Sequence, residues 1–242
     1  MQGAGVTGVI AKLGGSNNPD FPLYLETVHQ ANARTVFGTV AHYWANGQVG
    51  TPAEIAQRIM GSGVVQPGEL VGWDCETWPN EARIWSPAEV VARSAALADA
   101  GKPYAEQFVY LSLSDLRAQH WLPVAELGVN LWVAAWDEGP VLARHWKRSG
   151  IILRQYTSGS NAEIRKVYDR DLDLNRPPDD VWTVEELQAT LNAAMPDLNP
   201  LLVDNDFGRA TSSRVAEYQG RTGLKVDGDP GPKTLGTLTR PA

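Results

Sequence analysis

The chain has 242 residues, 43% of them hydrophobic, and a net charge of −7, which suits a large packed domain or a domain with a small appendage. It has no basic block and no apolar run long enough to span a bilayer, so nucleic acid, an anionic membrane surface and membrane insertion are disfavoured. One cysteine excludes an internal disulfide, and the start Met1-Gln2-Gly3-Ala4-Gly5-Val6 lacks a signal-type leader, so the sequence reads as a soluble product of the cytoplasm.

Along the chain, strands are expected at Val6 to Lys12, Thr35 to Tyr43, Leu70 to Glu76, Phe108 to Ser112, Leu131 to Trp136, Ile151 to Tyr156 and Asp171 to Leu174. Helix starts punctuate them. Thr51-Pro52-Ala53-Glu54 and Ser86-Pro87-Ala88-Glu89 each place a hydroxyl at the N-cap, Pro at the first helical position and Glu at the third, the pattern that satisfies free N–H groups reciprocally. Ser114-Asp115-Leu116-Arg117 is expected to open another helix with Ser114 as its cap. Alternating strands and helices predict an α/β fold with a parallel sheet, and seven strands suggest a (β/α) barrel over residues 1–176. Asn175-Arg176-Pro177-Pro178-Asp179-Asp180 reads as a linker, taken as 177–182. Beyond it, Thr183-Val184-Glu185-Glu186 is a third capping box. Asp204-Asn205-Asp206-Phe207-Gly208 with Thr211 is then echoed by Asp227-Gly228-Asp229-Pro230-Gly231 with Thr234 at a constant offset of 23 residues, so 183–242 is expected to be a small all-α, three-helix domain.

The run Trp73-Asp74-Cys75-Glu76 carries the most chemistry. Side chains alternate along a strand, so Asp74 and Glu76 share one face and Cys75 takes the other. Barrel sites form at the C-terminal ends of strands, where these acids stand. Breaking a glycosidic bond commonly uses two carboxyl groups, one protonated to donate to the leaving oxygen and one ionised to stabilise the positive sugar carbon. An ionised Asp74 beside Glu76 favours the protonated form of the glutamate. The competing reading is a solvated strand end.

Residues 6 to 176 resemble the family-25 glycoside hydrolases, the Chalaropsis-type muramidases of bacteria and phages. The matching pieces are Gly8-Val9-Ile10-Ala11-Lys12, Trp73-Asp74-Cys75-Glu76, Leu131-Trp132-Val133-Ala134, Gln155-Tyr156-Thr157-Ser158 and Leu172-Asp173-Leu174-Asn175-Arg176. Residues 183 to 240 resemble the type-1 peptidoglycan-binding three-helix domain through Leu187-Gln188, Tyr218-Gln219 and the repeated turn. The first resemblance implies Glu76 as general acid, Asp74 as the stabilising or substrate-orienting carboxylate, Asp173 as a further acid, and a retaining outcome. Trp136 and Tyr156 are candidates for stacking on sugar rings, with Gln155, His42 and Tyr43 as further substrate contacts. Plain core packing remains the alternative for the aromatics and His42, and a turn cap for Asp173.

The resemblance also has departures. The family's first strand, with an aspartate in an Asp-x-Ser context, has no counterpart ahead of Val6, so the barrel is expected to lack that strand, which another chain or a displaced segment would supply unless the barrel is open there. The third strand has Ala41-His42-Tyr43 where the family often has Tyr-His-Phe. No cofactor or metal is expected: Gly3-Ala4-Gly5-Val6-Thr7-Gly8 precedes a strand instead of opening a helix, and the four histidines have no ligand spacing. Two functions stay open. One is a peptidoglycan hydrolase of the endolysin type, an N-acetylmuramidase with a C-terminal wall-binding module, reaching the wall by phage-type release or as a virion component. The other is a non-catalytic wall-binding or tail protein built on a degenerate barrel.

Overall fold

The computed structural model describes residues 9–14, 40–44, 50–75, 85–118, 120–135, 139–157, 170–171 and 180–240. Its main sheet contains β1 (Val9–Gly14), β2 (Val40–Trp44), β3 (Leu70–Asp74), β4 (Gln107–Ser112), β5 (Asn130–Ala134), β7 (Ile151–Thr157) and β8 (Arg170–Asp171), hydrogen-bonded in that order. Two further strands, β6 (Val141–Ala143) and β9 (Val181–Thr183), pair with each other instead. Every neighbouring pair from β1 to β7 is parallel. The last pair corrects the all-parallel expectation, because β8 runs antiparallel to β7, a pairing that needs no crossover helix. Among the described residues no pairing of β1 with β8 closes the sheet into the expected barrel.

Helices α1 (Pro52–Gly61) and α2 (Pro87–Asp99) form where the capping residues predicted. Thr51 Oγ1 accepts the Glu54 N–H at 3.3 Å while the Glu54 carboxylate accepts the Thr51 N–H at 2.8 Å, and Ser86 with Glu89 repeats this at 3.3 and 3.0 Å. Helix α3 (Leu113–Ala118) departs from expectation in its cap. Ser112, the last residue of β4, accepts the Asp115 N–H at 3.1 Å and donates to Asp115 Oδ2 at 2.5 Å, so strand passes into helix without the turn that a Ser114 cap requires. After it comes α4 (Leu122–Glu126).

The sheet sorts its residues by parity. Val71, Trp73 and Cys75 join Val109, Leu111, Leu131 and Val133 in one core with Ile55 and Ile59 of α1 and Val90 and Leu97 of α2. On the opposite face, Phe108, Tyr110, Trp132 and Ala134 form a second cluster with Ala41, against which Leu70 packs. β4 and β5 are buried almost throughout, as parallel strands covered on both sides must be. Tyr110 and Trp132 lie 4.2 Å apart between ring centroids, and Phe108 sits 5.8 Å from Trp132. The Phe108 ring occupies the space a side chain at Gly72 would need, since a Cβ there would fall 2.1 Å from it.

The C-terminal region contains α5 (Val184–Ala194), α6 (Arg209–Thr222) and α7 (Pro232–Thr237) around Leu187, Leu191, Val215, Tyr218 and Leu235. Arg148 joins it to the preceding region by donating to both Glu186 oxygens, at 2.7 and 2.5 Å, and to the Val181 carbonyl. Arg144 donates to Asp229 at 2.7 Å and lies 4.5 Å over the Phe207 ring. His145 stands edge-on to His120 at 4.9 Å; burial, then His120 and Arg144, push its pKa down to about 4. Burial opposes ionisation of Glu186, but hydrogen bonds from Arg148 and the Thr183 N–H outweigh it and lower its pKa.

Gly72→Ala is expected to cost about 1–3 kcal/mol by driving Phe108 out of its site; an unchanged urea midpoint would refute this. Acidification is expected to weaken the fold in two stages. Between the ordinary histidine value of 6.5 and about 4 the unfolded chain binds a proton that folded His145 refuses, so its contribution is lost as pH falls. Around and below the ordinary value of 4.5 the unfolded chain takes up a proton that folded Glu186, held ionised by Arg148, refuses, removing a second contribution. Denaturation midpoints measured from pH 7.5 to 3.5 check both, and a flat profile to pH 4 contradicts the first.

Candidate functional site

Of the sequence-predicted acids, Asp74 is the last residue of β3. Asp74 is half-buried, and the parallel register sets it beside Tyr110 of β4, itself beside Trp132 of β5. Asp74 therefore belongs to the face that carries the aromatic cluster. Its neighbour Cys75 is fully buried among the helix-facing residues, where its N–H donates to the Tyr110 carbonyl at 3.0 Å. Burial, with Asp74 and Asp115 nearby, pushes the Cys75 thiol well above its ordinary value. A neutral, sealed thiol is chemically inert.

Glu76, Asp173 and Trp136 lie outside the described residues. Four more candidates are placed by backbone register alone. Tyr43 of β2 pairs with Gly72 and His42 with Val71, while on β7 Gln155 pairs with Ala134 of β5 and with Asp171 of β8, and Tyr156 follows it on the same strand. The structure thus aligns Asp74, Tyr110 and Trp132 at one register level and Ser112, Ala134 and Gln155 two levels further toward the strand ends, at the same parity. Among the described residues no group of three or more His, Cys, Asp or Glu side chains is arranged to hold a metal ion.

A second constellation emerges in the C-terminal repeat. Gln188 of α5 is buried, and its amide nitrogen donates to Asp204 Oδ1 at 2.7 Å, the Asp206 carbonyl at 3.1 Å and Thr211 Oγ1 at 3.1 Å. Its amide oxygen accepts the N–H groups of Asp204 and Asn205 at 3.0 and 3.1 Å. Gln219 of α6 does the same in the second copy. Its nitrogen donates to Asp227 Oδ1, the Asp229 carbonyl and Thr234 Oγ1 at 2.9, 3.0 and 3.1 Å, and its oxygen accepts from Asp227 and Gly228 at 3.0 and 2.9 Å.

The two turns match down to their strained residue. Asn205 and Gly228, 23 positions apart, both adopt the left-handed conformation, at φ 62° and 69°. Asn tolerates that region and here also accepts the Glu185 N–H, whereas a Cβ at 228 would press on Ser212 Oγ at 2.7 Å. The Gln188 amide and the Asp206 N–H hold the Asp204 carboxyl below its usual value, and the Asp229 N–H and Gln219 amide do so for Asp227. The sequence shows both turns and the dipeptides Leu187-Gln188 and Tyr218-Gln219, but not that each glutamine fills one turn. One amide side chain can satisfy a whole turn because it offers donor and acceptor together.

Gln219→Met removes the acceptor of two turn N–H groups and the donor to Asp227 and Thr234, and is expected to lower stability by about 2–4 kcal/mol. A denaturation midpoint within error of the parent would show that water replaces the amide.

No curated protein matches this sequence. Among solved structures, the chain is similar to a family 25 glycosyl hydrolase from Bacillus anthracis, with 13% sequence identity, 65% of this chain and 71% of that chain covered, and a TM-score of 0.47. Residues 183–238, which hold the three helices and both glutamine-centred turns, match the family described as "Putative peptidoglycan binding domain".

Proposed function

We propose that this protein acts on bacterial peptidoglycan as a glycoside hydrolase of the N-acetylmuramidase type, with residues 183–242 as its wall-binding module. The observation that carries the reading is the family match over residues 183–238, which makes the wall polymer the first candidate ligand. Support for hydrolysis comes from the strand end: Asp74 terminates a parallel strand on the face that bears Phe108, Tyr110 and Trp132, and the next residue of the same parity is Glu76.

In this reading protonated Glu76 donates to the oxygen between N-acetylmuramic acid and N-acetylglucosamine as the bond breaks. Asp74, ionised, opposes the positive charge that develops at the sugar carbon or orients the neighbouring acetamido group, and Asp173 is a further acid of the site. Trp136 and Tyr156 offer apolar faces to sugar rings, while Gln155, His42 and Tyr43 supply polar contacts. Release through a phage-type membrane lesion, or carriage on a virion, would bring the protein to the wall.

A second reading is favoured by a specific feature of the sheet. Among its described strands only β3 and β8 contain a carboxylate residue, and β1, Val-Ile-Ala-Lys-Leu-Gly, has none. A non-catalytic wall-binding or tail protein would need no further acid.

Turbidity of purified walls separates the two. The parent chain is expected to clear them, and Glu76→Gln to slow clearing at least about 100-fold while still pelleting with the walls; Asp74→Asn is expected to slow it as well. Wall binding without clearing by the parent would establish the second reading. Clearing that survives Glu76→Gln would remove that residue from its role.

A further inference from the structure

In the sheet region, α2 connects β3 to β4, and α3 with α4 connect β4 to β5. The connection from β5 to β7 differs. Its described part, residues 139–150, contains β6 and a short 3-10 turn at Arg148–Gly150, with no α-helix. In a βαβ unit the crossover helix covers the sheet, so another element must cover it here.

That element comes partly from the far side of the proline-rich stretch. β6 and β9 form a parallel ribbon in which Val141 pairs with Val181, Leu142 with Trp182 and Ala143 with Thr183. Successive residues point to opposite faces, and both faces are buried. Val141, Ala143 and Val181, each 0% exposed, belong to the core between the sheet and its helices, together with Trp146. Leu142 and Trp182 belong to the core of the C-terminal helices, with Val184, Leu187, Leu191 and Leu235. The ribbon is thus one wall with a different core on each side. Each strand contributes to both, so Leu142 completes a core made otherwise of residues 182–238, and Val181 completes one made otherwise of residues 55–151.

Cations fasten the ribbon's rim. Arg148, just before β7, reaches the Val181 carbonyl and Glu186. From the other end of the chain Arg240 donates to the same carbonyl at 2.8 Å and stacks 4.4 Å over the Trp182 ring. Arg144 ties to Asp229 in the second glutamine-centred turn and covers Phe207 beside the first.

We infer that the sheet region and the C-terminal helices are one cooperative folding unit with a shared wall, and that the module is a fixed extension of the sheet region. A flexible tether would only raise the local concentration of a substrate. A shared wall makes anything that stabilises the folded module stabilise the sheet as well, because neither core is complete alone.

The test mutates a residue facing one core and reads the other, in the full chain. Guanidinium unfolding is followed by hydrogen exchange and mass spectrometry, comparing peptides from β4 and β5 with peptides from α5 and α6. The parent is expected to show one midpoint for both sets. Leu142→Ala, which opens a gap on the helical side, is expected to lower protection of β4 and β5 as much as that of α5 and α6; Val181→Ala is expected to do the same from the sheet side. If either variant fails to fold, Arg144→Ala at the exposed rim replaces it and is expected to shift both sets together by a smaller amount. Two separate midpoints in the parent, or a variant that moves one set alone, overturns the inference. Neither readout requires hydrolysis or wall binding, so the outcome is independent of the Glu76→Gln experiment.

Discussion

A strand covered on both sides must give every side chain to one core or the other, and this parity constraint organises the molecule. In β3 and the residue after it this commits Val71, Trp73 and Cys75 to the helices and leaves Gly72 and Asp74 on the side of Phe108, Tyr110 and Trp132. A shift of one residue would put the Trp73 indole beside the aromatic cluster and bury the Asp74 carboxylate among aliphatic groups. Trp73 is held against such a slip by its Nε1–H, which donates to Ser94 Oγ of α2 at 2.9 Å, and by its edge contact with Trp85. Gly72 works from the other side, because Phe108 fits only where no Cβ stands.

The same constraint acts at small scale in the β6–β9 ribbon. Three residues per strand are too few to make a stable sheet in isolation. They persist because each face closes a different core and because Arg148 and Arg240 satisfy the Val181 carbonyl at the rim. Glu186, held ionised against Arg148, and His145, held neutral by burial, make this junction sensitive to acid.

The C-terminal repeat answers a different problem, that of compacting a short chain with little apolar surface. Each turn buries its polar groups around one glutamine, so the unit gains order from complete hydrogen bonding instead of from a large core. The two copies differ in their spacing: Gln188 lies 16 residues before its aspartate and Gln219 lies 8 before its own. The longer reach of the first copy accommodates the loop over residues 195–203, which Asn192 anchors through Leu201 at both N–H and C=O.

Much of this was legible locally. The capping boxes at Thr51, Ser86 and Thr183 were readable because both partners lie within four residues, and β3, β4 and β5 were readable because a buried parallel strand is written as an apolar run. The parity of Asp74 and Cys75 followed from the same local rule, and the repeated turns from their 23-residue offset. What the tertiary structure alone decided depends on partners distant in sequence. Val141–Ala143 and Val181–Thr183 are too short to announce themselves as strands and become strands only against each other. Ser112 replaced Ser114 as a cap because the strand ended one residue before the helix began. The antiparallel last strand and the function of each glutamine were likewise set by neighbours, since a short strand or a single amide carries no periodic signal until its partner is in place.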